Sequence, residues 1–399
     1  MNICLVSRNY PWQKPFDGMG TYTATMARAL TGIGNRVSVL TRSPTGKHRE
    51  VEDGGVKVIG IKHNPPAFLP EKIGKFSGIE YPRWSCAVAD ELRNLRSADF
   101  DIIEGPNAIG ELLATLSLRK RPPVVVKIHG MGILGLKMRN AYRWYHYPIY
   151  RRDKLSLKRA DFVTAVSEVV RRQCEDTYKI SLSHAVVVHN AVDTEAFTPR
   201  IKPQSGSETV VLFAGRLNRQ KGFDLMPEIV NRVLSVATQT RFVFAGEEQL
   251  VSLDIGEKSK EYLYSRISRD FWDKVDFKGA VSYEEMPEMY RQSDILLAPY
   301  RSEAFSGVCL EAGACALPVI GAMGTGMDYI IEHGETGFLE DVNCPEFLAE
   351  KLIALIKDRE LARRMGEAAR SRIEKFFNME TAARNTLEVY KKALQNFKG

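Results

Sequence analysis

In the second half of the chain, two short segments combine cations, glycines and carboxylates in a pattern suited to a diphosphate and the group attached to it. Gly215-Arg216-Leu217-Asn218-Arg219-Gln220-Lys221-Gly222 follows the apolar run Val210–Ala214 and opens a helix. Its glycines permit close backbone approach, Arg216 can grip two phosphate oxygens, and Lys221 adds a point charge. Taken alone, the segment reads more readily as a solvated basic turn. The second segment, Glu303-Ala304-Phe305-Ser306-Gly307-Val308-Cys309-Leu310-Glu311, follows a strand that ends at Ala298-Pro299-Tyr300. Ser306, Gly307 and Val308 fall at the amino end of a helix, where unpaired backbone N–H groups favour an anion. Glu311, about one turn in, suits ribose hydroxyls, and Glu303 points at whatever lies beyond the phosphates.

The first half carries weaker signals. Asp17-Gly18-Met19-Gly20-Thr21 follows the first strand and resembles half of a dinucleotide fingerprint, without the third glycine or the later acidic partner. Gly18 and Gly20 predict that a ligand or the other domain approaches this backbone. Lys127-Ile128-His129-Gly130 sets a histidine at a strand's carboxyl end, a better place for function than an apolar face. A satisfied structural histidine is an equal reading there. Asp99-Phe100-Asp101 has a form that binds metal-nucleotide in some transferases, but it opens a strand, at the wrong end for a ligand, and reads as a turn.

Such residues need strand ends to sit on. Short apolar strands alternate with helical periodicity along the whole chain, which predicts an α/β protein with two doubly wound, parallel sheets. The first-half strands are Ile3–Ser7, Arg36–Leu40, Val56–Ile61, Asp101–Glu104, Val124–His129, Phe162–Val166 and Val186–His189. The second half restarts with Val210–Ala214, Arg241–Ala245, Val275–Phe277, Ile295–Ala298 and Pro318–Ile320, and Pro345–Leu394 reads as helical throughout. One hydrophobic core stops growing at roughly 250–300 residues. The 399 residues therefore divide into domains over 1–200 and 207–378, with Ile201–Ser207 as a polar linker. Ligands of such sheets bind outside the carboxyl ends of the strands.

Composition is ordinary for a globular protein, 44% hydrophobic and 26% charged, which excludes a disordered, collagen-like or mucin-like chain. The net charge of +7 is unevenly spread, with 30 basic and 19 acidic residues before position 201 and 26 and 30 after it. The six cysteines lack metal-site spacing and read as free thiols in a reducing cytosol. The run from Met1 to Arg8 is too short for a signal peptide, and no stretch approaches the roughly 18 apolar residues of a spanning helix. The protein is expected to be cytoplasmic, at most peripheral on the inner face of a membrane.

Taken together, these segments resemble the retaining glycosyltransferases of family 4, the nucleotide-sugar-dependent group with the GT-B fold. The resemblance rests on Glu303-x7-Glu311 with Leu317-Pro318-Val319-Ile320, Gly215-Arg216-Leu217 with Lys221-Gly222, Gly18-x-Gly20, His129-Gly130, and His189-Asn190-Ala191-Val192-Asp193 to Phe197. It implies two Rossmann-like domains facing across a cleft, with a final helix over about 379–399, around Tyr390, crossing back to the amino-terminal acceptor domain. It also implies sugar transfer from a UDP- or GDP-linked donor with retention at the anomeric carbon. Arg216 and Lys221 would neutralise the leaving diphosphate, helped by N–H groups at Gly20 and at Ser306–Val308. Glu311 would hold the ribose, Glu303 the donor sugar, and His129 would sit near that sugar and the acceptor. No metal and no cofactor is implied, since cations and helix dipoles stabilise the departing anion. Departures from the family pattern, among them Ala304, Ser306 and Gly324-Thr325-Gly326-Met327-Asp328, touch the sugar pocket more than the phosphate clamp.

The acceptor is expected to be a glycan or a lipid-linked molecule, in cell-surface polysaccharide or glycolipid assembly. Residues 137–172 carry ten basic side chains against Asp153, Asp161 and Glu168, interleaved with Tyr142, Trp144, Tyr145, Tyr147 and Tyr150. Basic helices with Trp and Tyr suit an anionic membrane surface, and the apolar loop Pro65–Pro70 could add an anchor; a solvated helical face is an equal reading. No nucleic-acid motif is present. Alternatives are a GT-B phosphorylase or epimerase, and a non-catalytic nucleotide-sugar-binding or scaffolding protein. The phosphorylase lacks an identifiable cofactor lysine, and the epimerase should lack the Glu303/Glu311 pair.

Overall fold

The computed structural model describes residues 1–11, 18–62, 80–95, 99–138, 142, 144–201 and 208–397. The chain forms two compact units, one of residues 1–134, 142–191 and 379–399, the other of 135–141 and 192–378. Asp17, the loop Pro65–Pro70, Arg139, Arg143 and most of the stretch 201–207 lie outside the described residues.

The first unit runs β1 (Asn2–Val6), α1 (Gly18–Gly32), β2 (Arg36–Arg42), β3 (Arg49–Asp53), β4 (Val56–Ile61), α2 (Glu80–Asn94), β5 (Ile102–Pro106), β6 (Val124–Ile128), α3 (Gly132–Met138), α4 (Tyr147–Arg159), β7 (Phe162–Ala165), α5 (Glu168–Tyr178) and β8 (Val186–Val187). Its strand order is β3-β4-β2-β1-β5-β6-β7-β8. Every pair is parallel except β3 with β4. That antiparallel edge corrects the expectation of a purely parallel sheet. β3 escaped notice because Arg49-Glu50-Val51-Glu52-Asp53 carries a charge at all but one position, as edge strands do, and only its Gly54-Gly55 turn, with φ of +59° and +80°, marks a hairpin.

The second unit contains β9 (Thr209–Ala214), α6 (Met226–Leu234), β10 (Thr240–Ala245), α7 (Ser259–Tyr264), β11 (Val275–Gly279), α8 (Met286–Arg291), β12 (Ile295–Ala298), α9 (Gly307–Ala314), β13 (Val319–Ala322), β14 (Gly337–Glu340), α10 (Pro345–Lys357) and α11 (Arg359–Phe376). All its strands are parallel, in the order β11-β10-β9-β12-β13-β14. β14 is an additional strand; a Cβ on Gly337 would stand 2.1 Å from the Val319 carbonyl oxygen, so its first residue has to be glycine. The helical tail is broken twice. Asp358 ends α10 and caps α11 by accepting the Leu361 N–H at 2.9 Å, and Phe377-Asn378 separates α11 from α12 (Met379–Asn396).

α12 belongs to the first unit, where it packs with α1 on one face of the sheet. The period of 2 along a strand puts Ile3 and Leu5 of β1, Ile102 of β5 and Val125 of β6 on that face, against Ala27, Leu30, Ala383 and Tyr390. The same period carries Glu104 and Lys127 onto it at the carboxyl edge, both buried. At the opposite edge Asp101 accepts the Asn2 N–H at 2.7 Å, which accounts for Asp99-Phe100-Asp101 as a structural turn.

The second unit starts at Val192, ahead of the polar stretch 201–207, because that segment is tied down. Val192 donates its N–H to Phe377 O at 3.0 Å, and the Arg370 guanidinium donates to Phe197 O and Ala314 O at 2.7 Å and to Thr194 O at 3.1 Å. Charged hydrogen bonds to carbonyls each contribute about 1.5–3 kcal/mol. Arg370→Met is expected to lower unfolding free energy by about 3 kcal/mol, read as the shift in urea midpoint by circular dichroism; an unshifted midpoint would remove this clamp from the account.

Candidate functional site

In the second unit β9 lies beside β12, and the chain leaves β9 toward β10 on one side and β12 toward β13 on the other. Such a switch point leaves a crevice outside the strands' carboxyl ends. The loops that border it are the two segments singled out above. They touch through backbone: a Cβ on Gly222, whose φ is +71°, would stand 2.0 Å from Pro299 O. A Cβ on Gly246, after β10, would stand 1.8 Å from Gly215 O, and one on Gly326, after β13, 1.9 Å from Ala304 O. No side chain fits at any of the three. Gly326 also donates its N–H to Glu303 O at 2.8 Å, which holds the loop after β13 to the one that carries Glu303.

Side chains that the motif reading passed over fix these loops. Arg301 donates to Asp224 at 2.5 Å and to Arg219 O at 3.2 Å, and its own N–H bonds Gln220 O at 3.1 Å. Asn218 is buried; it accepts the Lys221 N–H at 3.3 Å and donates to Gln249 at 2.9 Å. The Asn218–Lys221 bond is a local cap; the bonds of Arg301 and that to Gln249 join residues about 30 to 80 positions apart, which only packing brings together.

Arg216 is exposed, and no partner is seen for it among the described residues, which leaves its guanidinium open to an anion. Lys221 is differently placed: its ammonium pairs with Glu303 and sits 4.1 Å from the centre of the Tyr300 ring. The Tyr300 hydroxyl in turn donates to Ala214 O at 2.5 Å, at the end of β9. The structure thus brings together the two residues that the resemblance assigned to diphosphate and to sugar. For Lys221 to take a phosphate it has to loosen its hold on Glu303.

Ser306 caps α9 by accepting the Cys309 N–H at 3.3 Å. The N–H groups of Gly307 and Val308 have no acceptor among the described residues, and they face outward from a helix that opens at the crevice. Glu311 is buried, with Oε2 accepting the Tyr290 hydroxyl at 2.7 Å. Burial pushes its carboxyl up to about 7, against the hydrogen bond from Tyr290. Tyr290, on α8, went unforeseen because it precedes β12 and carries no local motif.

In the first unit the switch point lies between β1 and β5. α1 opens after β1, and the two glycines differ: a Cβ on Gly18 meets nothing within 4 Å, whereas one on Gly20 would stand 3.3 Å from the Asn9 carbonyl group. The close approach at Gly20 is therefore by the chain leaving β1. His129 follows β6. Asn107, after β5, accepts the His129 N–H at 3.2 Å and donates to Gly130 O at 3.0 Å. The imidazole lies against the Tyr22 ring, centroids 4.3 Å apart. Burial and the Lys127 charge hold it well below the ordinary histidine value.

Of the basic segment 137–172, several residues are engaged internally. Arg152 donates to Ile109 O and Gly110 O at 3.1 and 3.2 Å, and Arg171 and Arg172 pair with Glu168. Arg151, Lys158, Arg159, Trp144 and Tyr147 are exposed, Trp144 at 85%. Among the described residues no helix is long and apolar enough to cross a membrane, and no group of three or more His, Cys, Asp and Glu is placed to hold a metal ion.

Family comparison bears on the same segments. Residues 195–372 match the model described as glycosyl transferases group 1, and residues 16–196 the model described as glycosyltransferase family 4. The chain belongs to the group 1 glycosyltransferases. It is 27% identical to a D-inositol 3-phosphate glycosyltransferase of Arthrobacter sp. (strain FB24), over 95% of this chain and 91% of that protein. It is 25% identical to the N-acetyl-alpha-D-glucosaminyl L-malate synthase of Bacillus anthracis, over 82% and 84%. Among solved structures, the sucrose-phosphate synthase of Thermosynechococcus elongatus superposes with a TM-score of 0.82 at 19% identity, over 99% of this chain and 100% of that one. Anabaena HepE in complex with UDP and glucose gives 0.73 at 19%, over 98% and 99%. The fold of this group 1 member is GT-B.

Two outcomes test the site as built. A carboxyl raised from 4.5 to about 7 by folding adds stability below pH 4.5 that is lost as pH rises through 7. Glu311→Gln is therefore expected to melt close to the native protein at pH 5 and above it at pH 8, the gap approaching about 3 kcal/mol; equal melting at both pH values contradicts the buried acid. Gly326→Ala is expected to displace the loop at Glu303 and to weaken binding of a nucleotide sugar more than of the bare nucleoside diphosphate, both measured by calorimetry.

Proposed function

We propose that this glycosyltransferase moves a hexose from a UDP- or GDP-linked donor to a hydroxyl of a glycan or lipid-linked acceptor, with retention at the anomeric carbon. The observation that carries the reading is the crevice between β9 and β12, where Arg216 and the N–H groups of Gly307 and Val308, without partners among the described residues, offer charge and hydrogen bonds to a diphosphate. Anabaena HepE, of the same fold, was solved with UDP and glucose, which supports a nucleoside diphosphate in that place.

As the bond from sugar to phosphate lengthens, negative charge grows on the diphosphate. Arg216, the amino end of α9 and Lys221, once released by Glu303, stabilise it without a metal ion. Glu303, freed in the same exchange, turns to hydroxyls of the sugar. Glu311 receives the ribose hydroxyls beside the bond it already has from Tyr290. His129 is read as the residue that meets the sugar or its acceptor. With its imidazole neutral, it can accept a hydrogen bond there.

The exposed Trp144, Tyr147, Arg151, Lys158 and Arg159 of the first unit support peripheral attachment to an anionic membrane. Vesicles rich in anionic lipid are expected to float the protein at low salt and release it at high salt, and Trp144→Ala to reduce the floated fraction. Absence of flotation at low salt removes the membrane from the reading.

The donor is tested by thermal shift with UDP, GDP, UDP-glucose and GDP-mannose, followed by turnover with the best of them. Arg216→Ala is expected to lower kcat/KM by about 100- to 1,000-fold, and the anomeric coupling in the product's proton spectrum to match the donor's. Inversion of that coupling rejects retention. Binding without turnover across acceptors supports a scaffolding protein instead.

A further inference from the structure

Behind His129 lies a charged layer that the transfer chemistry does not use. Glu104, Lys127, Tyr22 and Tyr390 are all buried; Lys127 is 1% exposed and Glu104 3%. Glu104 accepts the Tyr22 hydroxyl at 2.8 Å with one oxygen and the Tyr390 hydroxyl at 3.0 Å with the other. Among the described residues the Lys127 ammonium has no hydrogen-bond acceptor, and it rests 4.4 Å from the centre of the Tyr22 ring. The other face of the layer meets the imidazole of His129. The gap lined by Ser7, Tyr22, Glu104 and His129 is about 10 Å³, room for about one water and none for a sugar.

Burying an ammonium that lacks a hydrogen-bond acceptor is unfavourable where burying a Met or Leu is not. What it does here is geometric. We propose that Lys127, with Glu104 and Tyr390 behind it, is a positioning residue that fixes the ring of Tyr22 and, through it, the imidazole of His129. The set draws on three places in the chain: β5 and β6 at the sheet's carboxyl edge, α1 just after Gly18 and Gly20, and α12 from the far end of the sequence. It ties the glycine-led start of α1 and the His129 loop to one buried charge pair. Burial, opposed by Glu104, pushes Lys127 down to about 8; burial first, and the Lys127 charge second, hold His129 well below the ordinary histidine value. The groups around His129 are Lys127 from its own strand, Tyr22 from α1, Glu104 from β5 across the small gap and Asn107 from the β5 exit. This inference rests on the reading of His129 as a site residue.

The test is Cε1–H NMR of the histidines in the full chain, with His129→Gln identifying the His129 signal. In the native protein that signal is expected to stay neutral at pH values where exposed histidines have already titrated. Lys127→Met removes a like charge and is expected to move the His129 titration to higher pH. Lys127→Arg keeps the charge and is expected to keep the native behaviour, which a purely space-filling role would not produce. Should Lys127→Met fail to fold, Lys127→Gln supplies a neutral side chain that can hydrogen-bond, and the same upward move is expected. A native His129 titration in any folded variant without a cation at 127 overturns the proposal. The measurement involves no turnover. Native kcat/KM in His129→Gln would therefore remove His129 from the chemistry while leaving the positioning result standing.

Discussion

Backbone packed on backbone is the constraint on which the carboxy-terminal site depends. At Gly222, Gly246 and Gly326 an added Cβ would stand 1.8–2.0 Å from a carbonyl oxygen of a neighbouring loop. These contacts join the exits of β9, β10, β12 and β13 into one surface. Once main chains lie that close, the N–H groups at the start of α9 and the side chains of Arg216, Lys221 and Glu303 have fixed starting points. Loops free to drift by an ångström could not present charges to a diphosphate with that regularity.

Among the described residues, charge at these loops is paired internally except at Arg216. Lys221 and Glu303 neutralise each other over the Tyr300 ring, Arg301 and Asp224 staple the loops, and Arg216 alone among the signature cations stands open. Breaking a largely buried pair of opposite charges is costly, so the pair holds the two loops in one arrangement.

The amino-terminal unit solves a different problem. Its sheet is apolar beneath α1 and α12 until the carboxyl edge, where Glu104 and Lys127 replace aliphatic residues in the same register. Two tyrosine hydroxyls donate to Glu104 and a tyrosine face receives Lys127, which gives both buried charges a polar or aromatic neighbour. The arrangement sits directly behind His129 and binds α12 to the strand that carries Glu104.

Much of this was legible in the residues themselves. The alternation of apolar strands with helices determined the doubly wound class, because a parallel strand buried on both faces reads as an unbroken apolar run. Glycine beside a cation after β9, and Ser-Gly before an apolar helix after β12, marked the anion site from local chemistry alone. What stayed hidden was non-local or locally ambiguous. β3 is polar because it is an edge, Tyr290 and Arg301 act on partners far from them or without a motif, and α12 joins the first unit only through packing. Lys127 shows the division best. Its sequence context, Val124-Val125-Val126-Lys127-Ile128-His129, places it on a strand facing the same way as His129. Its burial beside Glu104, under Tyr22 and Tyr390, depends on residues 23, 105 and 263 positions away, and only the closed fold brings such separations together.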